Sequence, residues 1–145
     1  LDAAGGHNHL ARFVRDMGEA NIRVSLFIEP DPAQVEAAQR LGAPVIELHT
    51  GAYCGALAGP NRQRHLERIQ AAAVRADALG LECHAGHGLS FDTVGPIAAI
   101  PTLKELNIGH FLIGEAIFSG LATSIQEMRS LMNEAREKTE GDAGR

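Results

Sequence analysis

The sequence predicts an α/β chain built on a parallel sheet of four strands. Three observations predict it. Short apolar stretches with strand character alternate four times with stretches of helical periodicity, the pattern of a parallel sheet with right-handed crossovers. Gly or Pro punctuates most of the joins. Glycine-rich turns follow the third and fourth strands, and an extra short helix precedes the last long one. Four such units form either an open sheet or half of an eight-stranded barrel. The ending favours the barrel, because barrels often bind phosphate with the loops after their last two strands and the N-terminus of a short extra helix.

From His7 to Ala20, Leu10, Phe13, Val14 and Met17 recur at three- and four-residue steps, which predicts a helix. Ile22–Ile28 reads as the first strand, with Val24, Leu26 and Ile28 on one face. Asp31-Pro32 is a cap followed by a first-turn proline, so a helix runs to about Leu41, with Gly42 ending it. Ala43–Leu48 is the second strand, apolar except for Glu47. Gly51 to Pro60 reads as a Gly- and Ala-rich loop holding Tyr53, and Asn61–Leu79 as a long helix. Leu81, Cys83 and Ala85 alternate with Glu82 and His84 as the third strand, which Gly86-His87-Gly88 stops. A short helix follows over Asp92–Ala99, then another short turn or helix over Pro101–Leu106. Phe111–Ile113 is expected as the fourth strand, Gly114–Gly120 as the extra helix, and Leu121–Lys138 as the last one. Residues 1–138 thus form one barrel part, and Thr139–Arg145 a polar, disordered tail. Leu26, Ile46 and Ile113 are expected to form the layer that faces the other strands of a barrel.

Composition bounds the function. With 145 residues, 45% of them hydrophobic and 21% charged, the chain is long and apolar enough for a real core rather than disorder. Net charge is −5 and the basic residues are scattered, which argues against nucleic acid as a main partner. No apolar run is long enough for a membrane span, and no secretory leader is read. Residue 1 is leucine, so that last reading carries little weight. Cys54 and Cys83 are too few for a disulfide framework and lack metal-ligand spacing, which points to a reducing, cytoplasmic setting.

The chemistry concentrates at strand ends. His87 sits between two glycines on a sharp turn, placed for proton transfer near neutral pH. Glu47 is a carboxylate in an otherwise apolar strand, costly there unless paired or used. His49 and Gly51 follow it where a strand-end binding loop begins. Gly86, Gly88, Gly109 and Gly114 let backbone N–H groups face an anion.

The segments PVIELHTG (44–51), HAGHGL (84–89), LNIGHFLIGEAIFSGL (106–121) and VSLFIEPD (24–31) resemble the C-terminal part of the pyridoxine 5'-phosphate synthase family. The resemblance runs from Leu1 to about Ala135 and implies a (β/α)₈ TIM barrel, of which this chain would be the C-terminal half. It implies condensation of 3-amino-2-oxopropyl phosphate with 1-deoxy-D-xylulose 5-phosphate to give pyridoxine 5'-phosphate, phosphate and water in vitamin B6 biosynthesis. No metal or organic cofactor is implied, and the oligomer would be a homo-octamer. By the same resemblance His87 would be the proton donor and Glu47 a transition-state stabiliser. Gly88, Gly109 and His110 would hold the amino-ketone phosphate, with His49, Gly86 and Gly114 as further candidates. His84 departs from the family, where Asn is common. The family's N-terminal N-x-D-H-x-A-T-L-R and H-L-R-E-D-R-R-H segments, with a catalytic His and Glu and the sugar-phosphate residues, do not occur here.

Two other readings compete. His49, His84, His87 and His110 all lie near strand ends and could bind zinc in a metal-dependent barrel hydrolase. A half-barrel could also serve only as a binding or assembly module.

Overall fold

The computed structural model describes residues 1–143. Its elements run α1 His7–Glu19, β1 Ser25–Ile28, α2 Pro32–Arg40, β2 Val45–His49, α3 Gly51–Gly55 and α4 Pro60–Ala78. They continue β3 Glu82–Gly86, α5 Phe91–Ala98, β4 Leu103–Asn107, α6 His110–Ser119 and α7 Leu121–Ala143. The four strands are parallel and hydrogen-bonded in chain order, β1-β2-β3-β4. This is half of a TIM barrel.

The pleat decides what the sheet can do. Leu26, Ile46 and Cys83 fall in one cross-strand row, and Ile28, Leu48 and Ala85 project to the same side. They pack with Val35 and Ala38 of α2 and with Ile69, Ala73 and Ala76 of α4 in one buried cluster. The opposite side carries the row Phe27, Glu47, His84 and Glu105, which pair across the four strands. Apolar density therefore lies on the helix side, and the side that would face the rest of a barrel is mostly polar. Leu26 and Ile46, expected on that side, are instead buried against helices at 5% and 0% exposure.

Local signals act where the sequence places them. The Asp31 carboxylate accepts from the Ala33 N–H at 2.8 Å, with Pro32 opening α2. Ser90 and Thr93 cap α5 reciprocally. Tyr53 lies in α3, a one-turn helix within the segment expected as loop, and its hydroxyl donates to the Thr93 carbonyl at 3.1 Å.

The fourth strand is displaced from its expected position. It is Leu103–Asn107, expected as a turn or short helix, while Phe111–Ile113 lies inside α6. A bulge explains the missing alternation. Cys83 pairs with Leu103 and His84 with Glu105, so Lys104 is an extra residue and its two neighbours cannot alternate cleanly. Helix α6 consequently starts at His110, four residues before Gly114, and buries none of its residues fully. Ile113, Ile117 and Phe118 are 60%, 79% and 88% exposed. Helix α7 runs past Lys138 to Ala143, and the Thr139 hydroxyl lies 3.0 Å from the Ala135 carbonyl oxygen. Thr139–Ala143 are thus helical rather than a disordered tail; Gly144 and Arg145 lie outside the described residues.

Candidate active site

At the C-terminal end of the strands a cavity of about 750 Å³ opens among Phe27, Glu47, His87, Gly88, Asn107 and the Gly109–Phe111 segment. Its walls come from three places. Glu47 and Phe27 project from the polar side of the sheet, His87 and Gly88 from the turn after β3, and Gly109 and His110 from the start of α6.

The β3 turn is held under conformational strain. His87 has φ +80° and Gly88 φ +83°. Glycine adopts that region freely; an L-histidine there carries roughly 1–2 kcal/mol of backbone strain. Thr50, fully buried, keeps the turn in place. Its backbone N–H donates to the Gly86 carbonyl at 2.9 Å, and its hydroxyl lies 2.7 Å from that oxygen and 2.6 Å from the His87 carbonyl oxygen. His87 is thereby exposed at the cavity with its backbone fixed. Strain retained by surrounding structure is a mark of functional turns.

Glu47 is half-buried in β2. Asn107 donates to its Oε2 at 2.9 Å. Burial raises its pKa from the ordinary value; the Asn107 hydrogen bond and then the nearby His84 oppose that rise, while Glu105 reinforces it. Gly86 lies directly beneath this carboxylate. A Cβ there would strike Glu47 Oε1 and come within 2.8 Å of the Asn107 carbonyl oxygen. Glycine is required at this position so that the carboxylate can lie flat over the strand.

Gly109 precedes the first residue of α6 and makes no side-chain cap. The free N–H groups of the first turn of α6 therefore open beside Gly109 and His110, the arrangement that binds anions. Of the expected site residues, Glu47, His87, Gly88, Gly109 and His110 line one cavity. Gly86 supports Glu47 from below, and His49 flanks His87 with ring centroids 4.8 Å apart. Gly114 lies a full turn inside α6 and does not line this cavity.

Two participants escaped sequence reasoning. Thr50 stands between His49 and Gly51 at the start of the strand-end loop, and nothing in the sequence marks its hydroxyl as the support of the His87 turn. Asn107 precedes the expected fourth strand, and the bulge at Lys104 removes the alternation that would mark it as a strand end. The four histidines weighed as zinc ligands do not converge. His84 Nε2 lies 2.8 Å from Glu82 Oε1 and its Nδ1 3.6 Å from Glu105 Oε1, near the middle of the sheet, while His110 starts α6. Among the described residues no group of three or more His, Cys, Asp or Glu is gathered to hold a metal ion.

Comparison with known proteins adds the family. The model described as "Pyridoxal phosphate biosynthesis protein PdxJ" matches residues 1–134. The chain belongs to the PdxJ family. It is 63% identical over 135 residues to the pyridoxine 5'-phosphate synthase of Rhodospirillum rubrum, covering 93% of this chain and 54% of that protein. It is 58% identical over 139 residues to the pyridoxine 5'-phosphate synthase of Ruegeria pomeroyi, covering 94% and 56%. The chain thus spans about half the length of the curated relatives it matches. In fold it also resembles a chain in the crystal structure of the Amycolatopsis orientalis BexX/CysO complex, with a TM-score of 0.61 and 16% identity over 93% of this chain and 51% of that one. No helix among the described residues is long and apolar enough to cross a membrane.

Proposed function

We propose that this chain carries the amino-ketone phosphate side of a pyridoxine 5'-phosphate synthase, condensing 3-amino-2-oxopropyl phosphate with 1-deoxy-D-xylulose 5-phosphate. The observation that supports the reading best is the cavity itself. It sets an anion-binding helix start, an exposed histidine and a half-buried carboxylate within one volume large enough for a small phosphorylated substrate. Gly88 and the Gly109–His110 backbone hold the phosphate. His87 donates protons as water and phosphate leave. Glu47 stabilises positive charge that develops on nitrogen during Schiff-base formation and ring closure. The sugar phosphate is held by residues outside this chain's length. The working enzyme is a cytoplasmic homo-oligomer, an octamer by resemblance to the family.

The test joins this chain to the N-terminal part of the Rhodospirillum rubrum relative, completing the length that relatives have. The 145 residues alone are expected to make no pyridoxine 5'-phosphate and to associate, since β1 and β4 each offer an unpaired edge. The completed barrel should make product from the two substrates, and His87→Asn in it should lose about 10²-fold or more in turnover. A completed, folded barrel with no turnover refutes the proposal, and parental turnover by His87→Asn refutes the role of His87.

A further inference from the structure

One hydrogen-bonded pair beside His87 has no part in the proposed condensation. Glu29 follows β1 and His49 ends β2; because Ile28 pairs with Leu48, the two side chains come side by side where both strands stop. His49 Nδ1 lies 2.8 Å from Glu29 Oε1. The Glu29 backbone is fixed by a tight turn in which the Asp31 N–H donates to the Glu29 carbonyl at 2.8 Å. The ring is clamped on both sides, by Phe27 edge-on at 5.1 Å and by His87 at 4.8 Å.

An ionised carboxylate only accepts hydrogen bonds, so in the neutral ring Nδ1 carries the hydrogen and Nε2 the lone pair. Nε2 makes no hydrogen bond among the described residues. It leans over the backbone of Gly51, where an added Cβ would lie 2.7 Å from it and 3.1 Å from Cδ2 of His87. The absence of a side chain at Gly51 leaves the two imidazoles free to meet above it. A carboxylate that fixes the tautomer of one histidine beside a second, strained histidine is an arrangement for moving protons.

We propose that Glu29 and His49 form a second acid–base pair of this site, with Glu29 as positioning residue and Nε2 of His49 as the proton-exchanging atom. The inference rests on the condensation reading. That reaction releases protons from substrate in forming and closing the imine and consumes them as water leaves. Nε2 takes up one released proton, and the Glu29 carboxylate neutralises the imidazolium so formed. The same proton passes back, through one water or through His87, to the departing hydroxyl, leaving His49 neutral again. No oxidant or other co-reactant enters.

The first arm uses the 145-residue chain with ¹⁵N-labelled histidine. His49 should show a single tautomer with the hydrogen on Nδ1, and Glu29→Ala should shift it towards the Nε2–H form, while Glu29→Gln keeps a partial effect. An unchanged tautomer in Glu29→Ala overturns the pairing. The second arm uses the completed barrel. Glu29→Ala should lower kcat by about 10-fold and His49→Asn by about 10²-fold, each with KM changed less than about 2-fold. The double variant should be no slower than His49→Asn alone, because Glu29 acts through His49. Parental kcat in His49→Asn, or losses that multiply, overturns the proposal. If the unmodified completed barrel makes no product, the condensation reading fails, and the tautomer measurement still decides the pairing.

Discussion

Replacing Thr50 by valine isolates what holds the His87 turn. Valine keeps the shape and removes the hydroxyl. The Gly86 carbonyl retains the Thr50 backbone N–H at 2.9 Å, so the loss falls on the His87 carbonyl, whose contact at 2.6 Å is to that hydroxyl. That carbonyl is only partly buried, on an exposed residue, so the lower part of the roughly 1–3 kcal/mol cost of an unpaired buried acceptor applies, about 1–2 kcal/mol. With a urea dependence of roughly 2 kcal/mol per molar, the midpoint of unfolding should fall by about 0.5–1 M. The same hydroxyl opposes relaxation of His87 out of positive φ, so amide exchange at Gly88 should accelerate in the variant. Thr50→Ser, which keeps the hydroxyl, should preserve slow exchange at Gly88 while losing only methyl packing. A midpoint shift below about 0.2 M, or equal exchange in the serine and valine variants, would refute the reasoning.

Three further outcomes follow from the geometry. Gly86→Ala should cost about 1–3 kcal/mol by overpacking and displace the Glu47 carboxylate, because one of the atoms it meets is the Asn107 backbone oxygen; urea unfolding and the loss of the Asn107 side-chain amide shift check it. Glu47 has its folded-state pKa raised by burial, so its ionisation opposes folding: stability is fully present below the ordinary value of 4.5 and falls as pH rises through the raised one. Glu47→Gln should therefore unfold at higher urea than the parent above that window and lose the difference at low pH, and an identical pH profile in the two proteins would contradict this. Burial pushes the Cys83 thiol up to about 12 and raises that of Cys54 less, so iodoacetamide should label Cys54 in the folded protein and reach Cys83 only through unfolding, as mass spectrometry of a urea series would show.

The legible part of the chain is the part where local chemistry and tertiary packing agree. Asp31-Pro32 caps a helix in any context, and Leu26 and Ile28, like Cys83 and Ala85, recur at every second residue because the helices cover one side of the sheet. The strand at Leu103–Asn107 was hidden because its bulge spoils the two-residue period at Lys104. The neighbouring Phe111-Leu112-Ile113 run misled because three apolar residues fit a strand and a helix equally. For Leu26 and Ile46 the expected side differs from the observed one: apolar alternation marks the helix-covered side, and Glu47 lies on the opposite one. The motif residues His87, Glu47, Gly109 and His110 were visible as residue types at strand ends. Their supports, Thr50, Asn107 and Glu29, were not, because each acts through a partner between 20 and 60 residues away in sequence.

The chain-order arrangement β1-β2-β3-β4 bears on how such a molecule assembles during synthesis. Each strand docks on the one translated immediately before it, so the only loop closed at each step is one helical crossover. Growth is then vectorial: every new βα unit finds its template already in place and needs nothing that has yet to leave the ribosome. The exception in a closed ring is the seam, where first and last strands meet across the whole chain and the closure entropy is greatest. A boundary between units elsewhere interrupts one nearest-neighbour ladder and leaves the pairings on either side intact. That makes such joints natural points for recombining, permuting or splitting a gene, with the seam as the slow, quality-controlling event.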